Sequence, residues 1–170
     1  MEVITMFTVD EYLASIKTNL AQHTDVLVHN LKVIAEATFA SDVEILDFSA
    51  FIEPSRHDLS IMFFSMDREA NEVFEEAGTT GFAGSKSMLD EAVYYHVKPK
   101  QADDFDVFHE ENEEILIEQE RQLFADWFSS CWQQAGGDRV KLPAYFNVHD
   151  EGETFDLKRR IWMDEEEKWD

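Results

Sequence analysis

Residues 43–66 read VEILDFSAFIEPSRHDLSIMFFSM, and the fold turns on how they are parsed. From Val43 to Ile52, Leu46, Phe48, Ala50 and Ile52 alternate with Asp47, Ser49 and Phe51. That period of two belongs to a strand with one face buried. Pro54-Ser55-Arg56-His57-Asp58 interrupts it with turn residues. Leu59–Met66 follows with the unbroken apolar run Ile61-Met62-Phe63-Phe64, as in a strand covered on both sides. Two strands around so short a turn predict an antiparallel hairpin.

Toward the N-terminus the period changes. Thr8 with Glu11 three residues later forms a capping box. Leu13, Ile16, Leu20, Leu27, Leu31 and Ile34 then make one helical stripe, with Thr38 completing it. Gln22-His23-Thr24-Asp25 breaks the stripe with polar residues, so the segment is either one helix to about Phe39 or two, the second capped at Asp25. On the other side of the hairpin, Asp67 suits the cap of a short helix through Glu76, or the same residues form an edge strand. Thr79–Ser87, rich in Gly and Ser, reads as a loop, and Ala92–Val97 as a strand stopped by Pro99.

A long helix is predicted at about 109–135, with Leu116, Leu123, Trp127 and Cys131 in one row and Gly136-Gly137 as its stop. Strands follow at Ala144–His149, Thr154–Leu157 and Ile161–Met163, separated by Asp150-Glu151-Gly152-Glu153 and Lys158-Arg159-Arg160. This order of elements predicts an α+β fold, an antiparallel sheet packed against a few helices. The length of 170 residues suits a single domain over 1–170. The acidic tail 164–170 is expected to fray, with Trp169 as its one anchor.

Charge narrows the partners. The chain carries 37 acidic against 14 basic residues, a formal net charge of −23. A field of that sign repels phosphates and anionic membranes and attracts basic proteins. The net negative charge is densest between 101 and 135, where ten acidic residues face a single basic one. The lone Cys131 rules out an internal disulfide and fits a reducing compartment. No apolar run spans a bilayer, and Met1–Thr8 lacks the features of a secretory signal, so a cytoplasmic location is expected.

Candidate chemistry is sparse. His109 and Glu113 share a helix face, but the zincin pattern requires a second His where Glu113 stands. His149-Asp150 pairs a base with a carboxylate at a strand end, and equally fits an ordinary hairpin turn. Cys131, flanked by Trp127, Phe128 and Trp132, reads as a packed thiol. His23, His29, His57 and His96 are scattered along the sequence. Gly78, Gly81 and Gly84 fit neither nucleotide-binding fingerprint, and no Gly-x-Ser-x-Gly elbow occurs. Lys158, Arg159 and Arg160 form the one basic cluster, expected to pair with the acidic tail.

The run Ala125-Asp126-Trp127-Phe128-Ser129-Ser130-Cys131-Trp132-Gln133-Gln134-Ala135-Gly136-Gly137 is followed by Leu142-Pro143-Ala144-Tyr145-Phe146, His149-Asp150 and Phe155-Asp156-Leu157. This third of the chain resembles small acidic bacterial proteins, some of them immunity-like partners of secreted toxins. The resemblance implies a cytosolic binding protein and carries over no functional residue.

The sequence thus leads to a non-enzymatic acidic binding protein that sequesters a basic protein partner. Glu110, Glu111, Glu113, Glu114 and Glu118 are its expected contacts, and no cofactor is needed. Two alternatives stay open: a metal-dependent hydrolase using His149 and Asp150, and a structural homodimer paired through the Leu13 to Ile34 stripe.

Overall fold

The computed structural model describes residues 7–78 and 80–170. Two helices, α1 (Val9–Ala21) and α2 (Thr24–Ala35), precede the strands β1 (Ile45–Glu53), β2 (Asp58–Met66) and β3 (Ser85–Val93). Helices α3 (Ala102–Glu111) and α4 (Glu113–Gln134) then lead to β4 (Ala144–Val148), β5 (Glu153–Asp156) and β6 (Ile161–Asp164). The six strands form one sheet in the order β3-β2-β1-β4-β5-β6. It is antiparallel except at its centre, where β1 and β4 run parallel. The two helices before β4 supply the long crossover that a parallel pair requires.

The predicted hairpin is present, with Ile45 opposite Met66 and Glu53 opposite Asp58. Alternation along β1 divides the sheet into two faces. Leu46, Phe48 and Ala50 enter the core under the helices. The Phe48 ring lies 5.0 Å from Phe128 and 5.2 Å from Trp132 of α4, and Phe128 stacks on Phe146 of β4 at 4.5 Å. Asp47 and Ser49 point the other way, joined through Asn147 of β4.

The N-terminal segment is two helices rather than one. Thr8 caps α1, its Oγ1 accepting from the Glu11 N–H at 3.2 Å. The chain breaks at Gln22-His23, and His23, not the expected Asp25, is the N-cap of α2, with Asp25 inside its first turn. Ile16, Leu20, Leu27, Leu31 and Ile34 are fully buried in the core, so the stripe that suggested a homodimer seam is spent inside the chain. The long helix expected near 109–135 is α4, and Asn112 bends the chain so that His109, Glu110 and Glu111 close α3.

Three local expectations are corrected. Residues 67–76 form neither helix nor strand. Asp67 Oδ1 accepts from the N–H groups of Glu69 and Asn71 at 2.9 Å each, but Ala70 at φ 62° turns the chain back onto β2. A single bridge, Met66 to Glu72, follows. The third strand is Ser85–Val93, not Ala92–Val97, because residues 85–93 complete the open edge of β2. Residues 80–84 are tied down: the Phe82 N–H donates to Thr38 O and its carbonyl accepts from Ala40 N–H. At Gly81 (φ 99°) a Cβ would stand 2.6 Å from Ala40 N, so only glycine permits that approach.

The tail does not fray. Glu165–Trp169 is a 3₁₀ turn lying against β5 and β6. Its Lys168 is 1 % exposed, with Nζ 3.0 Å from Asp47 Oδ2 and 3.2 Å from Glu165 Oε1. The polar groups on this face of the sheet thereby receive a cation that the sequence places 121 residues away.

Candidate acidic cleft

One end of the sheet opens into a cleft of about 990 Å³. Its walls come from the β1–β2 turn, residues 94–97, α3, the first turns of α4 and the β4–β5 turn. Beyond β3 the chain leaves the sheet at Tyr94, whose N–H donates to His57 O at 2.9 Å. β2 begins at Asp58, opposite Val93, so 94–97 runs past the end of its partner strand and forms a wall.

Tyr95 turns its ring onto Tyr12 at 4.6 Å and Phe105 at 5.5 Å, and His57 packs edge-on to Phe105 at 5.2 Å. These rings form an aromatic flank contributed by four separate segments.

Six carboxylates line the cleft: Asp106, Glu110, Glu113, Glu120, Asp150 and Glu151. The one fixed cation among the lining residues, Arg56, is committed to Asp58 at 2.9 Å. Five of the six carboxylates are exposed and only Glu120 is partly buried. Tyr12 Oη donates to Glu120 Oε1 at 2.5 Å. Burial holds the Glu120 carboxyl above the usual carboxylate range, against the opposing effects of the Tyr12 hydrogen bond and nearby His109. Burial, reinforced by Glu120, also pushes the Tyr12 hydroxyl up.

Four of the six histidines, His57, His96, His109 and His149, reach this cleft although the sequence scatters them. Burial, with His109 close by, holds His57 below the ordinary imidazole range. His149 and Asp150 stand on the rim, Nε2 to Oδ2 3.3 Å, with the His149 ring 4.7 Å from Phe51. Both are largely exposed, and Asp150 at φ 66° occupies a turn position. Among the described residues no three His, Cys, Asp or Glu side chains are placed to hold a metal ion.

Of the predicted contacts, Glu110 and Glu113 line the cleft, whereas Glu111, Glu114 and Glu118 lie exposed outside it. The structure therefore divides the acidic row. Glu113, Ile117 and Glu120 recur at helical spacing along α4 and share the face toward the cleft. That spacing was a readable signal for Glu120, although nothing in the sequence pointed to Tyr12.

Cys131 is fully buried, and burial pushes its thiol up to about 11, as expected of a packed residue. The basic cluster pairs elsewhere than with the tail. Arg159 Nε meets Asp156 Oδ2 at 2.9 Å, and Lys158 Nζ donates to Lys141 O at 2.7 Å. Among the described residues no helix is long and apolar enough to cross a membrane. No family model, curated protein or solved structure matches the chain.

Proposed function

We propose that the chain is a non-enzymatic binding protein that sequesters a basic protein partner. Its contact surface is the acidic cleft together with the adjoining outer faces of α3 and α4. The observation that carries this reading is the uncompensated charge of the cleft: six carboxylates and one guanidinium, the latter already paired. A concave wall lined by one sign of charge focuses the field on an incoming cation and raises its encounter rate.

Glu111, Glu114 and Glu118 extend the charge beyond the cleft and steer the partner without enclosing it. Exposed Val107, Ile115 and Ile117 sit among these acids and supply apolar area that a purely electrostatic surface lacks. An immunity-like role, a cytosolic protein that neutralises a basic toxin, is the specific form that the C-terminal resemblance favours.

The test is a titration of isotopically labelled protein with an oligo-lysine peptide, followed by amide chemical shifts. Shifts that cluster on residues 106–120 and 149–151 support the proposal. A peptide that perturbs the acidic tail and leaves the cleft untouched contradicts it.

A further inference from the structure

We infer that Glu120 is the receptor for one arginine side chain of the basic partner, whose guanidinium enters the cleft against the half-buried Tyr95 and His57 rings. This deepens the proposed function and rests on it for the source of the arginine.

Among the cleft carboxylates Glu120 alone is withdrawn from solvent. Its Oε1 is occupied by the Tyr12 hydroxyl. Its Oε2 takes no hydrogen bond among the described residues, and Glu120 lines the cleft. Among the described residues no Lys or Arg forms an ion pair with it. A half-buried carboxylate held in place by one donor and left open at its other oxygen suits an incoming charge-assisted hydrogen bond.

The surroundings select the kind of cation. A metal ion needs several converging ligands, and the described residues offer no such group. An ammonium is a strongly hydrated point charge and gains little from flat walls. A guanidinium is planar and weakly hydrated, and it stacks on aromatic faces while donating in its own plane. The half-buried Tyr95 and His57 rings, 5.6 Å apart, provide those faces, with buried Phe105 packed against both. The exposed rim carboxylates Asp106, Glu110 and Glu113 then meet further cations of the same partner. The volume of about 990 Å³ admits a side chain with its flanking backbone.

The experiment measures binding of N-acetylarginine amide and its neutral isostere, N-acetylcitrulline amide, to the full chain by histidine ring NMR. Wild type, Glu120→Gln and the Glu75→Gln/Glu76→Gln double variant, two exposed carboxylates away from the cleft, are compared. Gln keeps the Oε1 acceptor for Tyr12, and a thermal melt verifies that each variant is folded. Glu120→Asp, which keeps the charge, serves as a second variant.

The arginine compound is expected to shift His57 and His109, the citrulline compound to bind at least about tenfold more weakly, and Glu120→Gln to lose a similar factor. The double variant should stay within about twofold, because its side chains are screened and outside the cleft. Equal binding of the two compounds, or equal affinity in Glu120→Gln, overturns the inference.

An oligo-arginine peptide at low salt separates the two claims. If it binds wild type and Glu120→Gln alike, the acidic-surface reading stands and the arginine site falls. If it binds neither while the arginine compound depends on Glu120, the site stands and the partner reading falls.

Discussion

Replacing Lys168 with Met removes the ammonium from beneath the C-terminal turn and keeps most of the stem volume. In the native chain Nζ is 3.0 Å from Asp47 Oδ2, and Lys168 and Asp47 are 1 % and 7 % exposed. Removing one partner of a buried ion pair typically costs about 3–5 kcal/mol, because the other charge is left without compensation. Asp47 retains one donor, the Asn147 amide at 3.1 Å, which places the expected loss at the lower end, about 3 kcal/mol.

For a chain of this length the full range corresponds to a melting-temperature drop on the order of 6–20 °C. The deficit also depends on pH. Burial raises the Asp47 carboxyl, and in the native chain Lys168 opposes that rise. A group with a raised folded value binds its proton more tightly when folded, so its contribution falls as pH rises through that value. Without Lys168 the deficit is therefore full above the folded Asp47 value and shrinks as pH falls through it.

The assay is urea denaturation of wild type, Lys168→Met, Asp47→Asn and the double variant. The double variant should recover part of the loss, giving a coupling of about 1–3 kcal/mol. A Lys168→Met midpoint equivalent to less than about 0.5 kcal/mol, the range of ordinary surface changes, refutes the claim that this pair seats the tail.

Three further outcomes follow. A Cβ at Gly137 would stand 2.1 Å from the Trp132 ring, so Gly137→Ala should destabilise by about 1–3 kcal/mol through overpacking, read by the same denaturation curve. Cys131 should resist a thiol reagent at neutral pH until the chain unfolds, because its thiol is buried and pushed up to about 11; rapid native-state labelling contradicts the packing. His57, held below the ordinary imidazole range, should remain neutral at pH 7 by ring NMR. Its stabilising contribution is present above the unfolded histidine value and lost as pH falls through the folded one.

The sequence made the local parts legible. Thr8 announced its helix as the N-cap whose Oγ1 accepts from the Glu11 N–H, and the alternation in Val43–Ile52 revealed both the strand and its buried face. The long helix and the last strands were readable from period and turn residues in the same way. What escaped is non-local. β3 was misplaced because its location depends on the edge that β2 leaves open, and Ser85-Lys86-Ser87 carries no apolar pattern of its own. The parallel β1–β4 pair joins segments about a hundred residues apart, which no period encodes. The tail looked solvated because Lys168 is one cation among acids, and its partner Asp47 lies at the far end of the sequence.

The candidate site was half legible for the same reason. Glu110 and Glu113 stood out as part of an acidic helix, and the cleft includes them. Tyr12, His57, Tyr95 and Glu120 meet only in the folded chain, drawn from α1, the β1–β2 turn, the segment after β3, and α4. His149-Asp150 is a rim pair on a hairpin turn, and among the described residues no third ligand stands beside it.

The central claim is that the carboxylates of one cleft grip a basic partner, and its most direct test is the salt dependence of peptide binding. The affinity of an oligo-arginine peptide would be measured from low salt to roughly 0.5 M NaCl, where the screening length falls to a few ångströms. Wild type is compared with the Glu110→Gln/Glu113→Gln/Glu120→Gln variant. The account predicts tight binding at low salt that weakens steeply with added salt in wild type, and a weaker, flatter dependence in the variant. Equal affinities and equal salt slopes in the two proteins would contradict it.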